Sequence, residues 1–87
     1  MGKLNNKNAV ITGAVSGIGK ASAQLFVKEG ANVVIADIQD DLGESLADEL
    51  GQNAIYLHTN VRNESDIKAA IDLAVNKFGS LNYNPYI

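Results

Sequence analysis

Short apolar runs and helical apolar stripes alternate three times along this chain. Ala9-Val10-Ile11 is apolar and rich in β-branched residues, which predicts a buried strand over Ala9–Thr12. Ile18, Ala21, Ser22, Leu25 and Phe26 then recur three and four residues apart, the inward face of a first helix that Gly30 should stop. Asn32–Asp37 is apolar almost throughout, the pattern of a parallel strand covered on both faces. Asp40 is placed to cap a second helix whose inward face is Leu42, Leu46, Ala47 and Leu50, with Gly51 as its stop. A third strand is expected over Ala54–Thr59. A third helix should open at Asn63, with Glu64 and Asp66 in the first turn, where carboxylates suit the helix dipole. Its stripe is Ile67, Ala70, Ile71, Ala74, Val75 and Phe78, and Gly79 ends it.

Strand–helix alternation of this kind predicts an α/β fold with a parallel sheet and right-handed crossovers. The expected architecture is a Rossmann-type doubly wound parallel sheet, truncated to about three strand–helix repeats in the order 3-2-1. A fourth strand is due beside the first. Residues 80–87 suit that place poorly, because Asn82, Asn84 and Pro85 fall there and Pro cannot donate to the ladder of a central strand. Residues 1–87 thus read as one partial domain, and a domain this small buries only roughly 60–65% of its unfolded surface.

Composition narrows the function classes. Seven Lys and Arg against ten Asp and Glu give a net charge of −3, and no basic run offers a nucleic acid backbone a footing. The chain has no cysteine, which removes disulfides, thiolate metal sites and a cysteine nucleophile, and no metal site is expected. No apolar run approaches the ~20 residues of a membrane span. Met1–Lys7 is polar, unlike a secretory leader, and Asn6 stands where myristoylation wants Ser or Thr. Asn63-Glu64-Ser65 matches a glycosylation acceptor by letter but reads as a helix start. The expectation is a cytoplasmic protein.

The candidate chemistry lies between the first strand and the first helix, in Thr12-Gly13-Ala14-Val15-Ser16-Gly17-Ile18-Gly19. A glycine-rich turn there aims backbone N–H groups and a helix N-terminus at an anion, usually a dinucleotide pyrophosphate. Gly13 suits the tight turn, Gly17 close approach of backbone to ligand, and Gly19 close packing of helix on strand. Val15, Ser16 and Ile18 complete the loop. Asp37 ends the second strand, 18 residues after Gly19, where a carboxylate can accept from the adenosine ribose hydroxyls. A 2′-phosphate there would meet like charge, at roughly 1–4 kcal/mol per pair at ~4 Å and an effective dielectric of ~20 to 80. Neither Ala14, Val15, Ser16 nor Ile38 supplies a cation, so NAD is favoured over NADP. Taken alone, Asp37 has a second reading as a solvated carboxylate at a strand end. Asn60 and Val61 follow the third strand, where an adenine ring would lie, although Asn60 also suits a simple turn. His58, the only histidine, has no partner in view.

Together these residues resemble the classical short-chain dehydrogenase/reductase family, from about Lys7 to Leu81. The run from Thr12 to Gly19 matches the family's glycine motif in full, and Asp37 matches its NAD-selecting acid. Asn60-Val61 matches its Asp-Val adenine contact, with Asn in place of Asp. Lys77 to Leu81 resembles the end of the helix before the fourth strand. Ile35 to Gly43 is most similar to plant-type members related to secoisolariciresinol dehydrogenase. The resemblance implies an NAD-binding site formed by Gly13, Val15, Ser16, Gly17, Ile18, Gly19, Asp37, Ile38, Asn60 and Val61. It implies an oxidoreductase that moves hydride between NAD and an alcohol or ketone.

Residues 82–87 depart from the pattern. The family's Asn-Asn-Ala-Gly motif should follow Leu81 and does not, and its catalytic Ser and Tyr-x-x-x-Lys have no counterpart here. Tyr56 is followed at that spacing by Asn60, and Tyr83 by Ile87. The helices of the family's usual homo-oligomer interface are also missing. The expectation is a cofactor-binding fragment with no catalytic residues, arising from a frameshift, alternative splicing or an incomplete gene model. The alternative is a non-catalytic nucleotide-binding or interaction module that pairs through an exposed edge of the first strand.

Overall fold

A computed structural model describes residues 7–13 and 17–79. Three strands, β1 (Asn8–Thr12), β2 (Asn32–Asp37) and β3 (Ala54–His58), alternate with three helices, α1 (Gly17–Lys28), α2 (Asp40–Leu50) and α3 (Glu64–Phe78). A single turn of 3-10 helix, Gly51–Asn53, links α2 to β3. The strands form one parallel sheet in which β2 lies between β1 and β3, the order expected from the alternation. Val10 sits opposite Val34, Ile35 opposite Tyr56, and Asp37 opposite His58.

The period of two along each strand divides the core between two faces. Ala9, Ile11, Val33 and Ile35 point to one side and pack against Ala23 of α1 and Leu46 of α2. Val10, Val34 and Ala36 point to the other and pack against Ala70 and Ala74 of α3. Helices therefore cover both faces, which is why β2 has to be apolar at consecutive positions. Every residue of β1 is buried as well.

Two strand boundaries shift by one residue, since β1 begins at Asn8 and β3 ends at His58 rather than Thr59, while β2 keeps its expected bounds. Asn63 lies just outside α3 and caps it, its side-chain oxygen accepting from Ser65 N at 3.0 Å. Gly30, Gly51 and Gly79 follow the three helices at φ of 96°, 83° and 91°. Asp40, in contrast, is the first residue of α2 and not its cap, and Gln39 takes the cap position without a side-chain bond. The Asp40 carboxylate is engaged elsewhere, by β3.

Two helix faces differ from the apolar stripes read in the sequence. In α1 the buried residues are Gly19 and Ala23, with Phe26 and Val27 half-buried, whereas Ile18 is 75% and Leu25 53% exposed. In α2 Gly43 and Leu46 are buried and Leu42 is 54% exposed. Gly19 and Ala23 in α1 and Gly43 in α2 are buried because small residues let the helix backbone approach the sheet. Val75 of α3 is likewise exposed, and Leu73 packs in its stead. The tail of residues 80–87, with its expected broken fourth strand, lies outside the described residues. No described helix is long and apolar enough to cross a membrane.

Candidate functional site

The carboxyl ends of three parallel strands open onto one cavity, the place where open α/β sheets bind ligands. It has a volume of about 710 Å³ and is lined by Thr12 and Gly13 after β1, Asp37, Ile38 and Gln39 after β2, and Thr59, Asn60, Val61 and Arg62 after β3. Five residues singled out in the sequence, Gly13, Asp37, Ile38, Asn60 and Val61, therefore meet around one space. Gly17, Ile18 and Gly19 form the first turn of α1. Val15 and Ser16 lie outside the described residues.

Gly13 turns the chain away from the sheet at a φ of 63°, a conformation that suits a residue without Cβ. Its N–H donates to Ala36 O at 3.1 Å, which ties the turn to β2. Gly17 has different surroundings. A Cβ built there meets no protein atom within 4 Å, so nothing in the described chain fills that space. The first turn of α1 has no acidic side chain, whereas α2 opens with Asp40 and Asp41 and α3 with Glu64 and Asp66. No side chain of that turn thus supplies a counter-charge to the positive end of the α1 dipole.

Asp37 is held from several directions. It is 8% exposed. Its Oδ1 accepts from Gln39 N at 3.0 Å, and its main-chain carbonyl accepts from Thr59 N at 2.8 Å. Its second carboxylate oxygen has no hydrogen-bond partner among the described residues. Beside it, Ile38 and Val61 are 58% and 51% exposed and line the same cavity, giving a flat ring two apolar surfaces to rest on.

Asn60 is a turn residue as well as a cavity residue. Its carbonyl accepts from Asn63 N at 2.9 Å, its side-chain oxygen from Arg62 N at 3.0 Å, and its own N–H donates to Asp66 Oδ2 at 2.9 Å. His58 also has a partner that the sequence did not reveal. Its Nδ1 lies 2.7 Å from Asp40 Oδ1, and the Tyr56 hydroxyl lies 2.5 Å from the same oxygen and 2.8 Å from Asp37 O. The bond from Tyr56, then that from His58, holds the Asp40 carboxyl below its usual range. Burial, reinforced by the bond to Asp40 and the charges of Asp40, Asp37 and Glu44, pushes the Tyr56 phenol well above its ordinary range.

Thr12, which opens the glycine motif, also lines the cavity, as do Gln39, Thr59 and Arg62, which were not singled out in the sequence. Their signal is positional: each stands within four residues of a parallel strand's carboxyl end. Arg62 matters most, since it brings a cation to the cavity that contains Asp37.

Comparisons with known proteins agree with this geometry. The short chain dehydrogenase family matches residues 7–83. Momilactone A synthase of Oryza sativa subsp. japonica is 59% identical over 81 residues, covering 92% of this chain and 30% of that protein. Secoisolariciresinol dehydrogenase of Forsythia intermedia is 46% identical over 81 residues, covering 92% and 29%. The chain thus spans about 30% of the length of the curated relatives it matches. Among solved structures, the 3-ketoacyl-(acyl-carrier-protein) reductase from Brucella melitensis, complexed with NADH, superposes with a TM-score of 0.89 at 39% identity. That match covers 94% of this chain and 34% of the reductase. A short chain dehydrogenase/reductase from Burkholderia phymatum, in complex with NAD, has a TM-score of 0.89 at 33% identity, covering 97% and 31%. Glycine turn, parallel sheet, strand-end cavity and family match converge, and the chain belongs to the short-chain dehydrogenase/reductase family.

Proposed function

We propose that this chain is the NAD-binding N-terminal portion of a short-chain dehydrogenase/reductase and that residues 1–87 bind the cofactor without turning it over. The observation that carries this reading is Asp37, a buried residue that lines the cavity and has one carboxylate oxygen without a donor among the described residues. Such an oxygen calls for a partner. The adenosine ribose hydroxyls are donors suited to the end of the second strand. Gly17 supports the same reading, because no packing within the described chain accounts for a missing Cβ there.

In this reading Gly13, Val15, Ser16, Gly17, Ile18 and Gly19 surround the pyrophosphate. Asp37 holds the ribose, and Ile38, Asn60 and Val61 receive the adenine. The bound group supplies the hydride-carrying nicotinamide; this chain's residues bind and orient its adenosine half. NAD is preferred over NADP, because Asp37 repels a 2′-phosphate by roughly 1–4 kcal/mol per charge pair. Arg62 is the only cation lining the cavity among the described residues and offsets part of that repulsion. For turnover, the family pattern asks for a Tyr followed four residues later by Lys, and Tyr56 is followed by Asn60.

Calorimetric titration of the 87-residue chain tests the proposal. Saturable NAD binding is expected, about tenfold or more weaker in Asp37→Ala, as for loss of a hydrogen bond to a charged group. NADP should bind about tenfold more weakly than NAD, and Arg62→Ala should widen that gap. Absence of saturable NAD binding, or an affinity indifferent to Asp37→Ala, refutes the reading. NADH formation from NAD and an alcohol substrate above a buffer blank refutes the absence of turnover.

A further inference from the structure

We infer that Tyr56 is a positioning residue for the adenosine ribose subsite, its hydroxyl bracing from β3 the short turn that presents Asp37. The inference rests on the dinucleotide reading and adds to it a residue that touches no cofactor.

The turn from Asp37 to Asp40 joins β2 to α2, and Tyr56 grips both of its ends. Its hydroxyl oxygen lies 2.8 Å from the Asp37 carbonyl at the start and 2.5 Å from the Asp40 carboxylate at the finish. A phenol has one proton, so the turn is spanned only as a bifurcated bond in which the Asp37 carbonyl and the Asp40 carboxylate each take a share of it. His58 holds the same Asp40 oxygen at 2.7 Å and steadies the far end. Parallel pairing of Ile35 with Tyr56 and of Asp37 with His58 brings these groups alongside the turn.

Gly43 makes the arrangement possible. A Cβ at that position would lie 2.1 Å from Tyr56 Cε1, so the ring rests directly on the backbone of α2. The phenol also keeps its proton well above neutral pH, as its raised pKa requires, and remains a donor under ordinary conditions. Asp37 is therefore fixed through its main chain by Thr59 N and Tyr56, and through Oδ1 by Gln39 N, while its other carboxylate oxygen stays uncommitted. A group held in this way meets a ligand with little orientation left to lose.

A double-mutant cycle between the protein hydroxyl and a ligand hydroxyl tests the inference. Dissociation constants of the 87-residue chain and of Tyr56→Phe are measured for NAD and for its adenosine 2′-deoxy analogue. In the unmodified chain, loss of the 2′-hydroxyl should weaken binding by about tenfold, as expected for a hydrogen bond to a carboxylate. In Tyr56→Phe that penalty should shrink at least threefold, because Asp37 is no longer held for the ribose. A merely structural role would weaken both ligands equally and leave the ratio unchanged, and that result overturns the inference while the dinucleotide reading stands. If NAD itself does not bind the unmodified chain, both fall. A second measurement needs no variant: the Tyr56 ring resonances should move on saturation with NAD and less than half as far with the 2′-deoxy analogue. Equal movement overturns the inference even where Tyr56→Phe fails to fold.

Discussion

Replacing Gly43 by Ala tests the packing of α2 on β3 with opposed effects of known size. Gly43 lies inside the helix, where Ala is favoured over Gly by about 1 kcal/mol on propensity alone. Propensity therefore predicts a more stable protein. Packing predicts the reverse. The new methyl would stand 2.1 Å from Tyr56 Cε1 and 2.2 Å from Cδ1, far inside any real contact. The ring cannot swing freely, since its hydroxyl is tied to Asp37 and Asp40. Overpacking of this kind costs about 1–3 kcal/mol, and a displaced hydroxyl forfeits a shared hydrogen bond worth about 1 kcal/mol. The expected net effect is destabilisation by about 1–3 kcal/mol, read as a fall in the urea midpoint at unchanged slope. In a Tyr56→Ala background the clash is gone, and Gly43→Ala should instead stabilise by about 0.5–1 kcal/mol. A Gly43→Ala protein as stable as the parent, or the same effect in both backgrounds, would refute the packing argument.

Three further outcomes follow from the same structure. Leu46→Ala should cost about 2–5 kcal/mol and Leu42→Ala no more than about 0.5 kcal/mol in urea unfolding, since only Leu46 is buried; equal costs would place the α2 face elsewhere. Asn63→Ala should cost about 1 kcal/mol in the same assay through loss of the α3 cap, with Asn63→Asp retaining most of it. For Tyr56 the folded phenol binds its proton more tightly than the unfolded phenol, whose ordinary pKa is 10.0. Its contribution is complete below pH 10.0 and is lost as the pH rises above it, so the stability difference between the parent and Tyr56→Phe should shrink in denaturation series run from pH 9 to about pH 12.

The local features of the fold were legible residue by residue. Val33-Val34-Ile35 announces a strand covered on both faces because only burial on both sides makes consecutive apolar residues favourable. Gly30, Gly51 and Gly79 announce helix ends, since turn chemistry is written within a few residues. Gly13, Asp37, Asn60 and Val61 were found for a related reason: each follows a strand, and parallel strands deliver their carboxyl ends to one edge. The helix rotations were legible only in part: Leu46, Ala47 and Leu50 of α2 and Phe26 of α1 do pack on the core. Ile18, Leu25 and Leu42 score as core on hydrophobicity, yet the sheet takes Gly19, Ala23 and Gly43.

Chain order and local chemistry, then, settle which segments are strands and helices, where the helices stop and which loops gather at one end of the sheet. Tertiary structure alone adds Gly19, Ala23 and Gly43 to the inward faces of α1 and α2, because close approach to the sheet favours small residues that a hydrophobic pattern undervalues. It alone joins Tyr56, Asp40 and His58, and it alone adds Arg62 to the cavity. Those groups meet only when β3 pairs with β2 in one register, and a register is a relation between distant segments that no single stretch of sequence contains.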